Sequence, residues 1–116
     1  MKVGMVSLPM NGLSEEEVKH TYNQKTYELL HNCGFDATVH TLFEGPEFTD
    51  EALKEKGVKN IPLYFLAKSL ERMSECDMVY FCKGWEKARG CQMEYEAASK
   101  YGIGILTEVG DEKSTR

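Results

Sequence analysis

The stretch from Asp77 to Ala98 constrains the fold more than any other part of the chain. Met78 to Cys82 is a short apolar run rich in β-forming residues, which predicts a buried strand. A polar loop ending in a glycine follows, and a helix is predicted from near Cys91 to about Tyr101. A strand, a glycine-containing loop and a helix in this order are typical of α/β sheets, whose ligands bind beside strand ends and helix N-termini.

The bulk composition limits the class of protein. A chain of 116 residues predicts one domain, residues 1–116, and 41% hydrophobic residues are enough to form a core. The net charge of −5 argues against binding a nucleic acid polymer, which requires a basic surface, but it permits a single nucleotide. No apolar run is long enough to cross a membrane, and the N-terminus lacks the apolar region of a signal peptide. We therefore expect a cytoplasmic protein with no membrane partner.

The cysteine and histidine residues do not suggest a metal site. The four cysteines form no CxxC pair, and no histidine lies at a zinc-like spacing from them. We expect reduced thiols, mostly in the core, and no metal or other cofactor. Cys91 is the exception to watch, because the N-terminus of a helix can lower the pKa of a thiol. His20, His31 and His40 are scattered, and we predict that all three lie on the surface.

The first part of the chain predicts a strand, a helix and a second strand. Lys2 to Leu8 is an apolar run that predicts the first strand. Ser14 followed by Glu17 forms a capping box that begins a helix, and Gly34 ends it. Phe35 to His40 alternates in polarity and predicts the second strand.

Two helices and a final strand complete the prediction. Thr49 caps a short helix over 50–56, and Asn60 with Pro62 begins a longer helix that ends by Cys76. The last strand is predicted at Ile103 to Thr107, after Gly102, and the tail from Asp111 to Arg116 is predicted to fray. The longer helix carries an apolar stripe at helical spacing: Leu63, Leu66, Leu70 and Met73. In the helix from Cys91, Tyr95 and Ala98 or Tyr101 are predicted to face the core.

This order of elements predicts an α/β fold. We expect a flavodoxin-like (Rossmann-like) parallel sheet of four to five strands with helices on both faces. The first and third strands should be adjacent at its centre, with a ligand crevice at their C-terminal ends. Two loops, 7–13 and 83–90, should open into that crevice.

Glu94 is the best candidate for chemistry in the second loop and its helix. A partly buried carboxylate beside an aromatic ring can act as a nucleophile or general base. The alternative is a surface glutamate paired with Lys87 or Arg89, and the spacing alone favours this alternative. Glu96, two residues further on, should point to another face and be solvated.

Other residues of the two loops have both a binding and a structural interpretation. Trp85 either stacks on a nucleobase or covers the edge of the core. Arg89 either clamps a substrate oxygen, orients Glu94 or is a surface charge. Ser7 and backbone amides near Gly12 could hold a hydroxyl or phosphate, although three glutamates at the start of the first helix oppose an anion.

Two motifs resemble those of the nucleoside 2-deoxyribosyltransferase-like superfamily, in particular its branch of short uncharacterised bacterial and phage proteins. The first is SLPMNG at 7–12, and the second is GWEKARGCQME at 84–94. The pair Tyr22-Asn23 in the first helix is similar to an aromatic-Asn pair of that branch. The resemblance covers most of the chain in element order.

The resemblance implies chemistry at an N-glycosidic bond. Glu94 would be the catalytic nucleophile that attacks the sugar C1′ of a nucleoside or nucleotide, and a second base or water would take the sugar. It also implies a homo-oligomer in which a neighbouring subunit completes each site. The residues it implies for substrate binding are Ser7, Pro9, Met10, Gly12, Asn23, Gly84, Trp85, Arg89 and Gly90.

The chain departs from the superfamily pattern at four positions. Leu8 stands where a glycine is usual, and Ala88 replaces a serine. Met5 and Ser69 occupy the places of a tyrosine and an acid in the characterised enzymes. The missing tyrosine and acid motivate a second hypothesis, a nucleotide-binding or sensing module of the same fold without catalysis. A third hypothesis is a thiol enzyme that uses Cys91.

Overall fold

A computed structural model describes residues 1–108 and confirms the α/β class. Four parallel strands form one sheet in the order β2-β1-β3-β4, so β1 and β3 are central, as predicted. This is the strand order of the flavodoxin-like fold without a fifth strand in the described part of the chain. The strands are β1 (Val3–Ser7), β2 (Ala37–Thr38), β3 (Met78–Phe81) and β4 (Gly104–Thr107). The helices are α1 (Glu15–Asn32), α2 (Asp50–Glu55), α3 (Ile61–Met73) and α4 (Arg89–Lys100).

Alternating residues of the central strands build a separate core on each face of the sheet. Met5, Val79 and Phe81 pack on one face with Met73 of α3 and Ala98 of α4. The residues between them face α1 on the other side, in a cluster formed by Val6, Tyr22, Leu29, Phe35, Tyr80 and Cys82. Because side chains alternate along a strand, a one-residue change of register would exchange the two cores.

The start of α1 matches the predicted capping box. The Glu17 N–H donates to the Ser14 hydroxyl at 3.1 Å, and the Ser14 N–H donates to the Glu17 carboxylate at 2.8 Å. The helix ends before Gly34, whose φ of +76° is the left-handed conformation that a glycine adopts without strain. The caps predicted at Thr49 and Asn60 are also present.

The second strand is shorter than predicted. Only Ala37–Thr38 pairs with β1, whereas the prediction covered Phe35 to His40. Beyond the strand, the Val39 N–H still donates to the Gly4 carbonyl, but the next contacts come from side chains. The Thr41 hydroxyl donates to the Val6 carbonyl at 3.2 Å, and the Thr41 N–H donates to the Tyr22 hydroxyl at 2.9 Å. These side-chain bonds replace the regular ladder at this edge.

Of the alternatives Ala98 and Tyr101, Ala98 is buried in the core, and one residue of the predicted apolar stripe, Leu63, is exposed. Leu63 is 58% exposed, because Phe65 packs on Phe43 and Phe48 and takes the covered side at this end of α3. Tyr101 is 84% exposed, because the chain turns at the end of α4 and Ile103 packs against the core.

The histidines and cysteines lie largely where the sequence predicts. All three histidines are exposed, as predicted, and all four cysteines are free thiols, of which Cys33 is only half-buried. The predicted frayed tail, Asp111 to Arg116, lies outside the described residues. Among residues 1–108, none of the helices combines the length and the apolar character that crossing a membrane requires.

Candidate functional site

The two predicted loops meet at the C-terminal edge of the sheet. A Cβ placed on Gly84 would lie 3.8 Å from the Pro9 side chain, so the loop after β3 contacts the loop after β1. Gly84 has a φ of +91°, which a residue with a side chain would adopt only with strain. A short 3-10 turn, Trp85–Lys87, then leads into α4.

Glu94 of α4 is buried against the end of β1. Its side chain is 8% exposed, and it accepts a 2.5 Å hydrogen bond at Oε1 from the hydroxyl of Ser7, which is 2% exposed. Ser7 lies two residues after Met5, so strand alternation points both side chains towards α3 and α4. One buried contact, between residues 87 positions apart, therefore joins the two sequence motifs.

Burial raises the pKa of the Glu94 carboxyl above its usual range. Hydrogen bonds from the hydroxyls of Ser7 and Ser69 oppose this effect because they stabilise the charged form. Ser69 is on α3, so three elements, β1, α3 and α4, surround the carboxylate. The position where the resemblance implied an acid thus carries a hydroxyl that supports Glu94.

The surroundings of Cys91 count against the hypothesis of an activated thiol. Cys91 is buried, and burial raises its pKa to about 11, with the Ser7 hydroxyl opposing and the Glu94 charge adding to the rise. A thiol with this pKa contains little thiolate at neutral pH, so the structure argues against a thiol enzyme. Burial likewise raises the pKa of Cys76 to about 11 and that of Cys82 to about 12.

The surface ion pair that spacing favoured for Glu94 is not formed within residues 1–108. Its hydrogen-bond partners are the hydroxyls of Ser7 and Ser69, while Arg89 is exposed at the first position of α4. The helix begins two residues earlier than predicted because the Gln92 N–H already bonds to the Ala88 carbonyl. Glu96 points elsewhere, as predicted, and pairs on the surface with Lys100 at 3.6 Å.

Trp85 covers the edge of the core. Its ring stacks on that of Tyr95 with centroids 4.3 Å apart and an angle of 10°, and it also packs on Phe81 at 5.5 Å. The indole is half-buried, and Tyr95 occupies one of its faces. Only the opposite face is left for stacking on a ligand.

Other residues that the resemblance implied for binding lie on the surface of the same edge or of α1. Gly12 has a φ of +81°, and Gly90 lies in the first turn of α4 with open space where a Cβ would stand. Asn23 is exposed on α1, whereas its neighbour Tyr22 is buried and holds Thr41. Met10 is 48% exposed in the loop after β1.

An open cleft of about 500 Å³ lies beside these loops. It runs along α1 and the ends of three strands, and it is lined by Leu8, Pro9, Asn11, Leu13, Thr21, Gln24, Lys25, Cys82, Lys83 and Glu108. A second cleft of about 460 Å³ is lined by His40, Leu42, Phe43, Glu44, Gly45 and Phe48. Neither cleft is lined by Glu94, so a ligand that meets this carboxylate must reach it through its small exposed fraction.

Glu108 lines the cleft of about 500 Å³ and connects two of its sides. This residue was not identified from the sequence. Its carboxylate accepts hydrogen bonds from Lys25 Nζ at 2.7 Å and from the Lys83 N–H at 2.9 Å. Burial alone would raise its pKa, but these bonds and the positive charges outweigh burial and hold the pKa below its usual range. They also raise the pKa of Lys25 despite burial, so both partners are stabilised in their charged forms. A lone acid after a strand gives no sequence signal for this contact.

We expect Glu108→Gln to lower the free energy of unfolding at pH 7 by about 1–2 kcal/mol, because charged hydrogen bonds are lost from a partly buried site. A carboxyl with a lowered folded pKa contributes stability above its unfolded pKa, about 4.5, and loses it as pH falls through the folded value. Urea unfolding between pH 3 and pH 7 should therefore show the variant and the wild type converging at low pH. Glu96→Gln is the exposed control, and an equal loss in both variants would contradict the prediction.

The fold and site define an α/β protein with a parallel sheet and a buried carboxylate at its C-terminal edge. Residues 2–107 match the model of a domain of unknown function, DUF4406, and the chain belongs to that family. Comparison with curated proteins and with solved structures gave no significant match. Within residues 1–108, no group of three or more histidine, cysteine, aspartate or glutamate residues is arranged to hold a metal ion.

Proposed function

We propose that this protein cleaves or transfers at the N-glycosidic bond of a nucleoside or nucleotide, with Glu94 as the nucleophile. The observation that carries the proposal is the buried hydrogen bond from Ser7 to Glu94, which joins both sequence motifs at one carboxylate. The resemblance of those motifs to the nucleoside 2-deoxyribosyltransferase-like superfamily supplies the class of reaction.

The proposed reaction is a double displacement at the anomeric carbon. A carboxylate oxygen of Glu94 attacks C1′, the bond from C1′ to the base nitrogen breaks, and the base leaves with the bonding electrons and takes a proton from solvent. Water or a second base then attacks C1′, loses a proton to solvent and releases Glu94 as a carboxylate. Two inversions retain the configuration of the sugar.

Substrate contacts in this proposal come from the loop edges. Pro9, Met10 and Gly12 after β1 and Gly84, Arg89 and Gly90 after β3 would surround the sugar side, and the open face of Trp85 would contact the base. The ligand is a small molecule, and the reaction requires no metal or other cofactor. A homo-oligomer whose neighbouring subunit completes each site, and a cytoplasmic location, are part of the same proposal.

The limited exposure of Glu94 favours a second candidate, a nucleotide-binding module without catalysis. Neither open cleft is lined by the carboxylate, so a ligand could occupy a cleft without meeting it. Such a module would be stabilised by its ligand and would release no product.

We expect the full chain to release free base from at least one member of a panel of ribonucleosides, deoxyribonucleosides, their monophosphates and NAD. Chromatography detects the base, and Glu94→Ala should release none. Equal release by the variant would contradict the role of Glu94. If no member reacts but one raises the melting temperature, the binding module replaces the enzyme as the better proposal.

A further inference from the structure

We propose that Ser7 is a positioning residue for Glu94 and not a ligand for substrate. Its hydroxyl holds the carboxylate in one orientation. This inference rests on the proposed function, because it concerns the same carboxylate, but its main test does not require a substrate.

The geometry assigns the single hydroxyl proton of Ser7 to Glu94. The 2.5 Å distance between Ser7 Oγ and Glu94 Oε1 is that of a short O–H···O hydrogen bond between buried groups. A hydroxyl has one proton to donate. While Ser7 donates it to Glu94, Ser7 can only accept a hydrogen bond from a ligand, and it cannot hold a phosphate or carbonyl oxygen.

The backbone position of Ser7 suits a residue that orients another side chain. It is the last residue of β1, a central strand, where it pairs with Phe81, and its carbonyl accepts a 3.0 Å bond from the Cys82 N–H. A donor on a central strand is held more rigidly than one on a loop. Precise orientation matters because a misplacement of about 1 Å can cost about 100-fold in rate.

The other groups at Glu94 cannot replace this donor. Cys91 on α4 has a pKa of about 11, so it stays neutral and is at most a weak donor across the working pH range. Ser69 on α3 already donates a hydrogen bond to Glu94 alongside Ser7, so it adds no new donor when the Ser7 hydroxyl is removed. Removing the Ser7 hydroxyl should deprive the buried Glu94 carboxylate of one hydrogen-bond donor. The pKa of Glu94 should therefore rise.

We expect Ser7→Ala to raise the pKa of Glu94 measured by ¹³C NMR titration of the full chain labelled at the glutamate carboxyl carbons. Glu94→Gln identifies the resonance. Ser7→Cys, with a weaker donor, should give an intermediate pKa, and Ser7→Thr should return it towards the wild-type value. Ser99→Ala, at an exposed position of α4, is the matched control and should leave the pKa unchanged.

An unchanged pKa of Glu94 in folded Ser7→Ala would overturn the inference, since a merely structural serine would change only the melting temperature. If base release is found, Ser7→Ala should lower kcat by about 100-fold while KM changes little. A shifted pKa without any base release would support the role of Ser7 and count against the proposed reaction. Base release with an unchanged pKa would support the proposed reaction and contradict the role of Ser7.

Discussion

Glu94→Gln is expected to lower base release by about three orders of magnitude or more and, at the same time, to raise the melting temperature at neutral pH. The amide cannot form the glycosyl ester that the proposed reaction requires, and loss of a nucleophile is among the largest single effects in enzymes. The stability gain has a separate cause. Burial disfavours the charged form of the carboxylate, whereas the amide is neutral and its oxygen can still accept the hydrogen bond from Ser7.

The size of the stability gain depends on pH. Burial raises the pKa of Glu94 in the folded protein. A carboxyl with a raised folded pKa stabilises the fold fully below its unfolded pKa, about 4.5, and this contribution is lost as pH rises through the folded pKa. The wild type should therefore lose stability relative to Glu94→Gln as pH rises, and the two should converge near pH 4.

Melting temperatures of both proteins from pH 4 to pH 8 measure this difference, and the nucleoside panel measures activity. Glu96→Gln, two residues along α4 and solvated, is the matched control and should change neither quantity much. A Glu94→Gln protein that is less stable than the wild type at pH 8 would show that the charged form is favoured by its surroundings. Such a result would contradict the burial argument.

The largest expected effect on stability comes from Phe81, which is fully buried in β3. Its ring packs on Trp85 at 5.5 Å and on Tyr95 at 5.3 Å, so it supports both the loop after β3 and the helix that carries Glu94. We expect Phe81→Ala to lower the free energy of unfolding by about 3–5 kcal/mol, since it leaves a cavity between the sheet and α4. Urea unfolding followed by circular dichroism measures this loss.

Two further variants test the cavity argument. Phe81→Leu retains most of the volume and should cost about 1.5 kcal/mol or less. Tyr101→Ala removes another aromatic ring from an 84% exposed position and should change the free energy of unfolding by about 0.5 kcal/mol at most. A loss below 1 kcal/mol for Phe81→Ala would mean that α4 and the loop close over the space.

The sequence by itself determined the order and type of the elements. The signals were local: the capping box at Ser14 and Glu17, the stop at Gly34, and the apolar run before Lys83. Helix-length connections between short strands then required a parallel sheet with helices on both faces. These features depend on neighbours in the chain, and residue types report such neighbours well.

Only the tertiary structure decided the surroundings of each side chain at the edge of the sheet. Spacing favoured a surface pair between Glu94 and a nearby cation, yet the carboxylate is buried and accepts a hydrogen bond from Ser7. Cys91 is a neutral thiol because it is buried. Glu108 gave no sequence signal, but it joins α1 to the loop after β3. Partners tens of residues apart meet only when strands and helices pack, and burial, which sets the pKa of each group, is a property of that packing.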